Sequence, residues 1–388
     1  MKVCILSAFE DSLSKDTGYS VRMYNLAKDL AKLGHEVHFI MPNYEVGYNR
    51  FEGINVYYVK GFLPRKILVF LSILLGVAKT SSLYFYDPVF IFKISKIIRG
   101  ADIVQIEQQS AGGIIVPIIA KVWKKTIIVD CHDVFQALRI KHTNKIRRVI
   151  ETFLETITYR FADFFITVSD HEKKVLVSYG IKNNKIEVIP NGVDTEHFSG
   201  CSRIDSHLVK LRYGLENFKV VVFVGNMEYL PNKEAAELIV STIAPKVLEK
   251  VHNVKFLVIG RYPPNFNVNA TNIIFTGVVD DVAKFLMASD LAIAPLLHGS
   301  GTRLKVLEYF SAGLPVISTS VGVEGLDVRN SVDVIIEDDV NIFASKIIEL
   351  LEDEDKRAKI GNSARSLALE KYDWFTITEK LDTVLGEL

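Results

Sequence analysis

The sequence predicts an α/β protein built from two doubly wound, parallel-sheet domains of similar size. Three observations carry that prediction. Short β-branched runs alternate with longer helical patterns along the chain, an alternation that gives parallel sheets with right-handed crossovers. Most strand candidates are continuous apolar runs, which is how strands covered on both faces read. The alternation breaks between Asn191 and Lys219, where Phe198-Ser199-Gly200-Cys201-Ser202 reads as a small, polar linker, and it restarts at Val220. A length of 388 residues allows two domains or a little more.

In order, the first half offers strands at Lys2–Ala8, Glu36–Met41, Asn55–Lys60, Asp102–Glu107, Thr126–Asp130, Phe164–Val168 and Lys185–Ile189. The second half offers Val220–Val224, Lys255–Ile259, Ile273–Thr276, Leu291–Ala294, Pro315–Thr319 and Asp333–Ile336. Helical patterns fall at Ser20–Leu33, Asn144–Ala162, Asp170–Tyr179, Lys233–Val251, Val282–Ser289, Leu304–Ala312 and Val340–Leu351. In open parallel sheets, ligands bind beyond the carboxyl ends of the strands. With two such domains, the site is expected in the cleft between them.

Hydrophobic residues make up 49% of the chain and charged residues 24%, a globular balance that excludes disordered, collagen-like and disulfide-scaffold classes. Lys and Arg total 46, as do Asp and Glu, so the basic excess of a nucleic-acid binder is missing. Three cysteines (Cys4, Cys131, Cys201), without metal-like spacing, argue against zinc and against a disulfide framework. The apolar run inside Met1–Ser7 is too short for a signal peptide. The expectation is a cytoplasmic, reduced protein.

Ile67–Ala78 is uncharged throughout, with Arg65 and Lys66 before it and Lys79 after it. A spanning helix needs about 20 residues, so two readings lead: a buried helix, or one lying at the inner membrane face. Residues 1–195 carry 26 basic and 19 acidic side chains, whereas residues 196–388 carry 20 and 27. A basic half with an exposed apolar helix suits an anionic bilayer surface.

No Walker A motif is present, and only Gly18 marks the turn after the first strand, so an ordinary ATPase or NAD-dependent dehydrogenase is not expected. The strongest segment is Ala294-Pro-Leu-Leu-His298-Gly299-Ser300-Gly301-Thr302-Arg303-Leu304-Lys305-Val306-Leu307-Glu308, followed by Gly313-Leu-Pro315 and another strand. A strand runs into a glycine turn that lets backbone approach a ligand, then into a helix whose N-terminal N–H groups favour an anion. Arg303 and Lys305 sit where the macrodipole disfavours cations. Two cations there suggest an anion supplied from outside, for which a diphosphate is the natural candidate. Glu308, one and a half turns further, is placed to reach ribose hydroxyls.

That segment, with Pro190-Asn191-Gly192-Val193-Asp194 and Gly225-Asn226-Met227-Glu228-Tyr229-Leu230-Pro231-Asn232, resembles the family 4 retaining glycosyltransferases. It is similar in particular to a bacterial and archaeal subgroup with a Gly-Thr-Arg-Leu-Lys-x-Leu-Glu helix. Thr17-Gly18-Tyr19-Ser20 and Gly34-His35-Glu36-Val37 match the family's opening. The resemblance implies the GT-B fold: an acceptor-side domain over 1–195, a nucleotide-sugar-binding domain over 196–370, and a C-terminal segment 371–388 returning to the first domain. It implies no essential metal and no cofactor. It assigns catalysis to His132, Arg303 and Lys305, and substrate contact to Gly18, Asn226, Gly301, Thr302, Leu304 and Glu308. The partners it implies are a nucleotide-diphosphate sugar donor and a saccharide or lipid-linked acceptor.

Two departures stand out. The family's paired Glu becomes Ser300, which removes a usual contact to the donor sugar, and the usual Arg and Lys after the first strand of the second domain are absent. Asn226 replaces the Arg, and Lys233 is only roughly in register with the Lys. Charge-assisted bonds are the strong ones at a phosphate, so Arg303 and Lys305 are expected to take over that duty.

A second constellation, Asp130-Cys131-His132-Asp133, ends an apolar strand. The resemblance puts His132 on the donor sugar. Asp133 would orient it or cap the next helix, and Asp130 is a further acceptor-contact candidate. Asn191-Gly192 reads as a tight turn with positive φ or as a ligand contact. Glu107-Gln108-Gln109 reads as a cleft patch or a helix cap. Two rivals to a transferase remain: a GT-B nucleotide-sugar epimerase, and a non-catalytic nucleotide-sugar-binding subunit, the latter motivated by Ser300.

Overall fold

The structure, a computed structural model, describes residues 1–7, 13, 18–75, 80–107, 115–131, 156–262, 272–299 and 302–388. The chain divides into two units, one made of Met1–Pro190 with Ile377–Leu388 and the other of Asn191–Thr376.

The first unit holds β1 (Lys2–Leu6), β2 (Glu36–Pro42), β3 (Gly47–Phe51), β4 (Ile54–Val59), β5 (Ile103–Glu107), β6 (Thr126–Cys131), β7 (Phe164–Thr167) and β8 (Ile186–Val188). They form one sheet in the order β3-β4-β2-β1-β5-β6-β7-β8. All neighbours run parallel except β3, which pairs antiparallel with β4 at the edge. This strand escapes a search for apolar runs because its residues lie at the surface and read Gly-Tyr-Asn-Arg-Phe. Its turn is the two-residue Glu52-Gly53, both at positive φ, the geometry that suits the twist of a hairpin.

Apolar side chains of β1, β5 and β6 pack with the helices Pro88–Gly100 and Ile115–Val122 into one cluster. Neither helix stands out in the sequence, because Ile- and Val-rich segments read equally as strands. Of the expected helix Asn144–Ala162, only 156–162 lies within the described residues, and it is helical over 156–161.

The apolar segment after Pro64 forms the helix Arg65–Leu75. Leu68 is fully buried in the first unit's core and Leu71 packs partly against it, whereas Ile67 and Phe70 are 45% and 65% exposed. One face is therefore core and another is surface. Among the described residues, no helix is long and apolar enough to cross a membrane.

The helix Trp374–Gly386 brings the chain back to the first unit. There Lys380 Nζ donates to the Val188 carbonyl at 2.8 Å and pairs with Glu187 at 2.7 Å, while His35 Nε2 meets Asp382 at 2.7 Å.

The second unit holds β9 (Lys219–Val224), β10 (Val254–Ile259), β11 (Ile273–Gly277), β12 (Leu291–Ala294), β13 (Val316–Ser318) and β14 (Ile335–Ile336), in the order β11-β10-β9-β12-β13-β14. All are parallel. Alternate residues of β9 serve different clusters, Val220 and Val222 in one, Val221 and Phe223 in another. Coverage on both faces is why the strand reads as an unbroken apolar run.

The stretch expected as a linker is helical. Thr195–Gly200 is capped by Asp194, and Ser202 opens Arg203–Tyr213 with a capping box to Asp205. The expected helix Lys233–Val251 is interrupted: Leu230–Leu238 and Ala244–Leu248 flank a π turn at Ile239–Ile243. Pro245 has no N–H to give the preceding turn, which favours such a bulge.

Candidate active site

In the second unit the strand order reverses direction between β9 and β12. That switch point is where doubly wound sheets bind ligands, beyond the strands' carboxyl ends. The two loops leaving it carry Gly225-Asn226-Met227 and His298-Gly299.

The first loop is held against its neighbour. Gly225 N–H donates to Ile259 O at 2.9 Å. Gly260 has φ +138°, and a Cβ there would lie 1.8 Å from the Gly225 carbonyl oxygen. Only glycine allows two strand ends to meet this closely. Gly225 is tight as well, since a Cβ would come 2.8 Å from the Asn232 side chain.

The second loop turns at Gly299 (φ +140°), where an added Cβ would lie 2.7 Å from Arg303 Nη2. Arg303 occupies the cap position of the helix Leu304–Ser311, which has no side-chain cap, and is only 8% exposed. The helix is tied to the end of β9 through Tyr309, whose hydroxyl accepts the Val224 N–H at 2.8 Å.

Lys305, in the first turn, joins the two loops. Its Nζ donates to Asn232 Oδ1 at 2.6 Å and lies 4.4 Å from the centre of the Phe223 ring. Asn232 Nδ2 in turn donates to the Asn226 carbonyl at 2.9 Å. Burial, with the Arg303 charge adding to it, lowers the Lys305 ammonium to about 7. Burial raises the Glu308 carboxyl to about 7, against the pull of Lys305 and His197. Thr302 Oγ1 is buried and has no hydrogen-bond partner among the described residues.

Asn226, Thr302, Arg303, Lys305 and Glu308 thus gather around one helix start, with Leu304 packed against the core beneath them. Asn226 is exposed, and its Oδ1 accepts the Glu228 N–H at 3.0 Å. Lys233 faces Glu237 at 3.9 Å on the exposed side of its own helix. Ser300 and Gly301 lie outside the described residues. Asn232 and Phe223 were missed as site residues. Asn232 stands inside the Leu-Pro-Asn motif, a signal that could have found it, whereas Phe223 looks like any other strand residue.

In the first unit, Gly18 is exposed and opens the helix Gly18–Lys32. His132, Asp133, Gln108 and Gln109 lie outside the described residues. Glu107 is buried at the end of β5. Asp130 is also fully buried, and its carboxylate accepts from Arg22 Nε at 3.0 Å, so an acceptor sugar does not meet it. Asn191-Gly192 does not form the expected positive-φ turn. The segment runs on into a parallel bridge between Val193 and Asp373, with Val193 N–H donating to Tyr372 O.

Residues 17–197 match the family described as Glycosyltransferase Family 4, and residues 218–353 match Glycosyl transferases group 1. Over 253 residues the chain is 25% identical to the GDP-mannose-dependent monoacylated alpha-(1-6)-phosphatidylinositol monomannoside mannosyltransferase of Corynebacterium glutamicum. That match covers 61% of this chain and 64% of the relative, less than two thirds of its length. A capsular polysaccharide biosynthesis glycosyltransferase, CapM of Staphylococcus aureus, is 26% identical over 268 residues, 64% of this chain and 68% of its own. The crystal structure of Anabaena HepE in complex with UDP has the same fold, with a TM-score of 0.73 at 16% identity over 100% of both chains.

Two doubly wound, parallel-dominated sheets and the likeness to HepE define the GT-B fold, and the matched segments are those of glycosyltransferases. Within that class, residues 17–197 are of the family 4 type and residues 218–353 of the group 1 type.

Proposed function

We propose that the chain transfers a hexosyl group, with retention, from a nucleoside-diphosphate sugar to a saccharide or lipid-linked acceptor. We place it in the subgroup marked by Gly-Thr-Arg-Leu-Lys-x-Leu-Glu, with no metal needed. The observation that carries this reading is the pair Arg303 and Lys305 at an uncapped helix start on the switch point of the second unit. Cations and helix N–H groups there stabilise the charge that develops on a departing diphosphate. Glu308 takes the ribose hydroxyls. The bond from the anomeric carbon to the phosphate oxygen breaks, the acceptor oxygen bonds to that carbon from the same face, and the acceptor proton passes to the leaving phosphate oxygen. By analogy with the family, His132 contacts the transferred sugar.

The relatives differ in nucleotide, GDP in one name and UDP in one structure. A thermal-shift panel of UDP, GDP, ADP and their sugars, followed by turnover of the hits, therefore tests the donor. Binding without turnover would favour the non-catalytic reading, and turnover without an acceptor would favour an epimerase.

A pH dependence follows from Lys305. Its ammonium titrates near 7 in the unliganded site, and a diphosphate beside it favours the charged form. Binding therefore takes up a proton, and affinity is highest when the lysine is already charged. Nucleoside-diphosphate affinity is expected to fall between pH 7 and pH 9, and Lys305→Met to flatten that fall. Titration calorimetry in buffers of different ionisation enthalpy measures the proton uptake directly, and its absence would remove Lys305 from the phosphate site.

For the acceptor, we infer a lipid-linked saccharide met at the inner membrane face. Phe62 and Phe70 are 78% and 65% exposed, beside Arg65 and Lys66. Apolar insertion and anionic lipid together hold such a surface at an interface. Co-sedimentation with phosphatidylglycerol vesicles is expected at low salt, fading with added salt and in the Phe62→Ser/Phe70→Ser variant. Wild-type protein left in the supernatant would defeat the membrane reading and leave the transferase reading standing.

A further inference from the structure

Arg22 and Asp130 form an ion pair that is 1% and 0% exposed. Arg22 lies in the second turn of the helix Gly18–Lys32, and Asp130 near the end of β6. Arg22 Nε reaches both carboxylate oxygens, at 3.2 and 3.0 Å, while Nη1 donates to the Ile189 and Pro190 carbonyls at 2.9 and 3.0 Å. Gln105, from β5, makes a longer contact to the same carboxylate at 3.4 Å. One guanidinium thus binds three parts of the first unit that are far apart in sequence.

Burying such a pair is costly. Apolar residues of similar volume often hold a fold as well or better, whereas a lone survivor of the pair is strongly destabilising. What apolar residues do not supply is direction: a planar guanidinium fixes its partners in angle as well as distance. The partners here stand next to the first-unit site positions. Gly18 is four residues before Arg22, His132 two residues after Asp130, and Asn191, where the second unit begins, directly after Pro190.

We propose that Arg22 and Asp130 are positioning residues for transfer. Together they set the helix start at Gly18, the end of β6 and the exit at Pro190 in one fixed arrangement. This rests on the transferase reading, and it predicts a loss that stability alone does not explain.

Three quantities separate the alternatives: the thermal midpoint, the Kd for UDP (or for whichever diphosphate the panel selects) and kcat. Asp130→Asn is expected to lower both the midpoint and kcat, since it leaves a buried cation poorly matched. The apolar pair Arg22→Met/Asp130→Leu is expected to recover the midpoint and keep diphosphate affinity within about twofold, because Arg303 and Lys305 belong to the other unit. Its kcat is expected to stay down by roughly tenfold or more, the scale set by small misplacements of reacting groups. Recovery of kcat with the midpoint would overturn the proposal and leave the pair a folding element.

Should the apolar pair fail to fold, Arg22→Lys decides. It keeps the charge but lacks the fork that reaches one carboxylate and two carbonyls, so kcat is expected to drop while the protein stays folded. An unchanged kcat would overturn the proposal. A wild type that turns over no nucleotide sugar would count against the transferase reading, and amide exchange then tests the pair separately. In Arg22→Lys, exchange at Ile189, whose N–H donates to Thr167 O at 2.7 Å, and at Asn191 is expected to quicken. Unchanged protection at both would overturn the positioning role.

Discussion

Arg303→Ala is expected to weaken nucleoside-diphosphate binding by about ten- to a hundredfold in a protein that keeps its fold. A hydrogen bond to a charged group contributes about 1.5–3 kcal/mol, and each 1.4 kcal/mol or so is a factor of ten in Kd. Arg303 is a strong candidate for so large an effect because it is held in place before the ligand arrives. It is only 8% exposed and packs against Gly299, where an added Cβ would come 2.7 Å from its guanidinium. Little side-chain entropy remains to be lost on binding. Lys305→Met is expected to cost less near pH 8, since an ammonium lowered to about 7 is mostly neutral there. Calorimetric titration of both variants with UDP and GDP checks the order. Wild-type affinity in a folded Arg303→Ala protein would place the diphosphate elsewhere.

The second large effect is expected at Gly260→Ala. The new methyl group would meet the Gly225 carbonyl oxygen at 1.8 Å, and φ would stay at +138°. No rotamer change relieves a clash between a Cβ and a backbone atom, so the ends of β9 and β10 must separate. Overpacking and positive-φ strain each cost about 1–3 kcal/mol. Their sum, about 2–6 kcal/mol, lowers the midpoint of a unit this size by roughly 4–24 °C at 2–4 °C per kcal/mol. Diphosphate affinity should fall with it, because the Gly225–Asn226 loop carries the carbonyl that holds Asn232 and, through it, Lys305. A thermal midpoint within about 2 °C of wild type would show that the strand ends have room to give.

Much of the fold was legible because fully covered strands print themselves as apolar runs. β9 and β12 could be read to within a residue for that reason. β3 could not: its side chains face water, and only its positive-φ turn and its pairing with β4 make it a strand. The helix Pro88–Gly100 was hidden by its own isoleucines. Within the candidate site, Arg303 and Lys305 stand out in the sequence because cations at a helix start contradict the local dipole. Asn232 and Phe223 do not, since a side-chain amide and a strand phenylalanine contradict nothing. Asp130 misled for a similar reason. A carboxylate at a strand end looks like a ligand contact until the arginine 108 residues earlier is seen to occupy it.

The return of Ile377–Leu388 to the first unit bears on how the polypeptide emerges during synthesis. The second unit is one uninterrupted stretch, Asn191–Thr376, and contains every strand of its own sheet. The first unit is discontinuous and lacks the partners of His35 and Glu187 until Asp382 and Lys380 have been made. Vectorial synthesis therefore closes the second unit before the first is complete. The first unit, with its exposed Phe62 and Phe70, is the half left open longest at the ribosome.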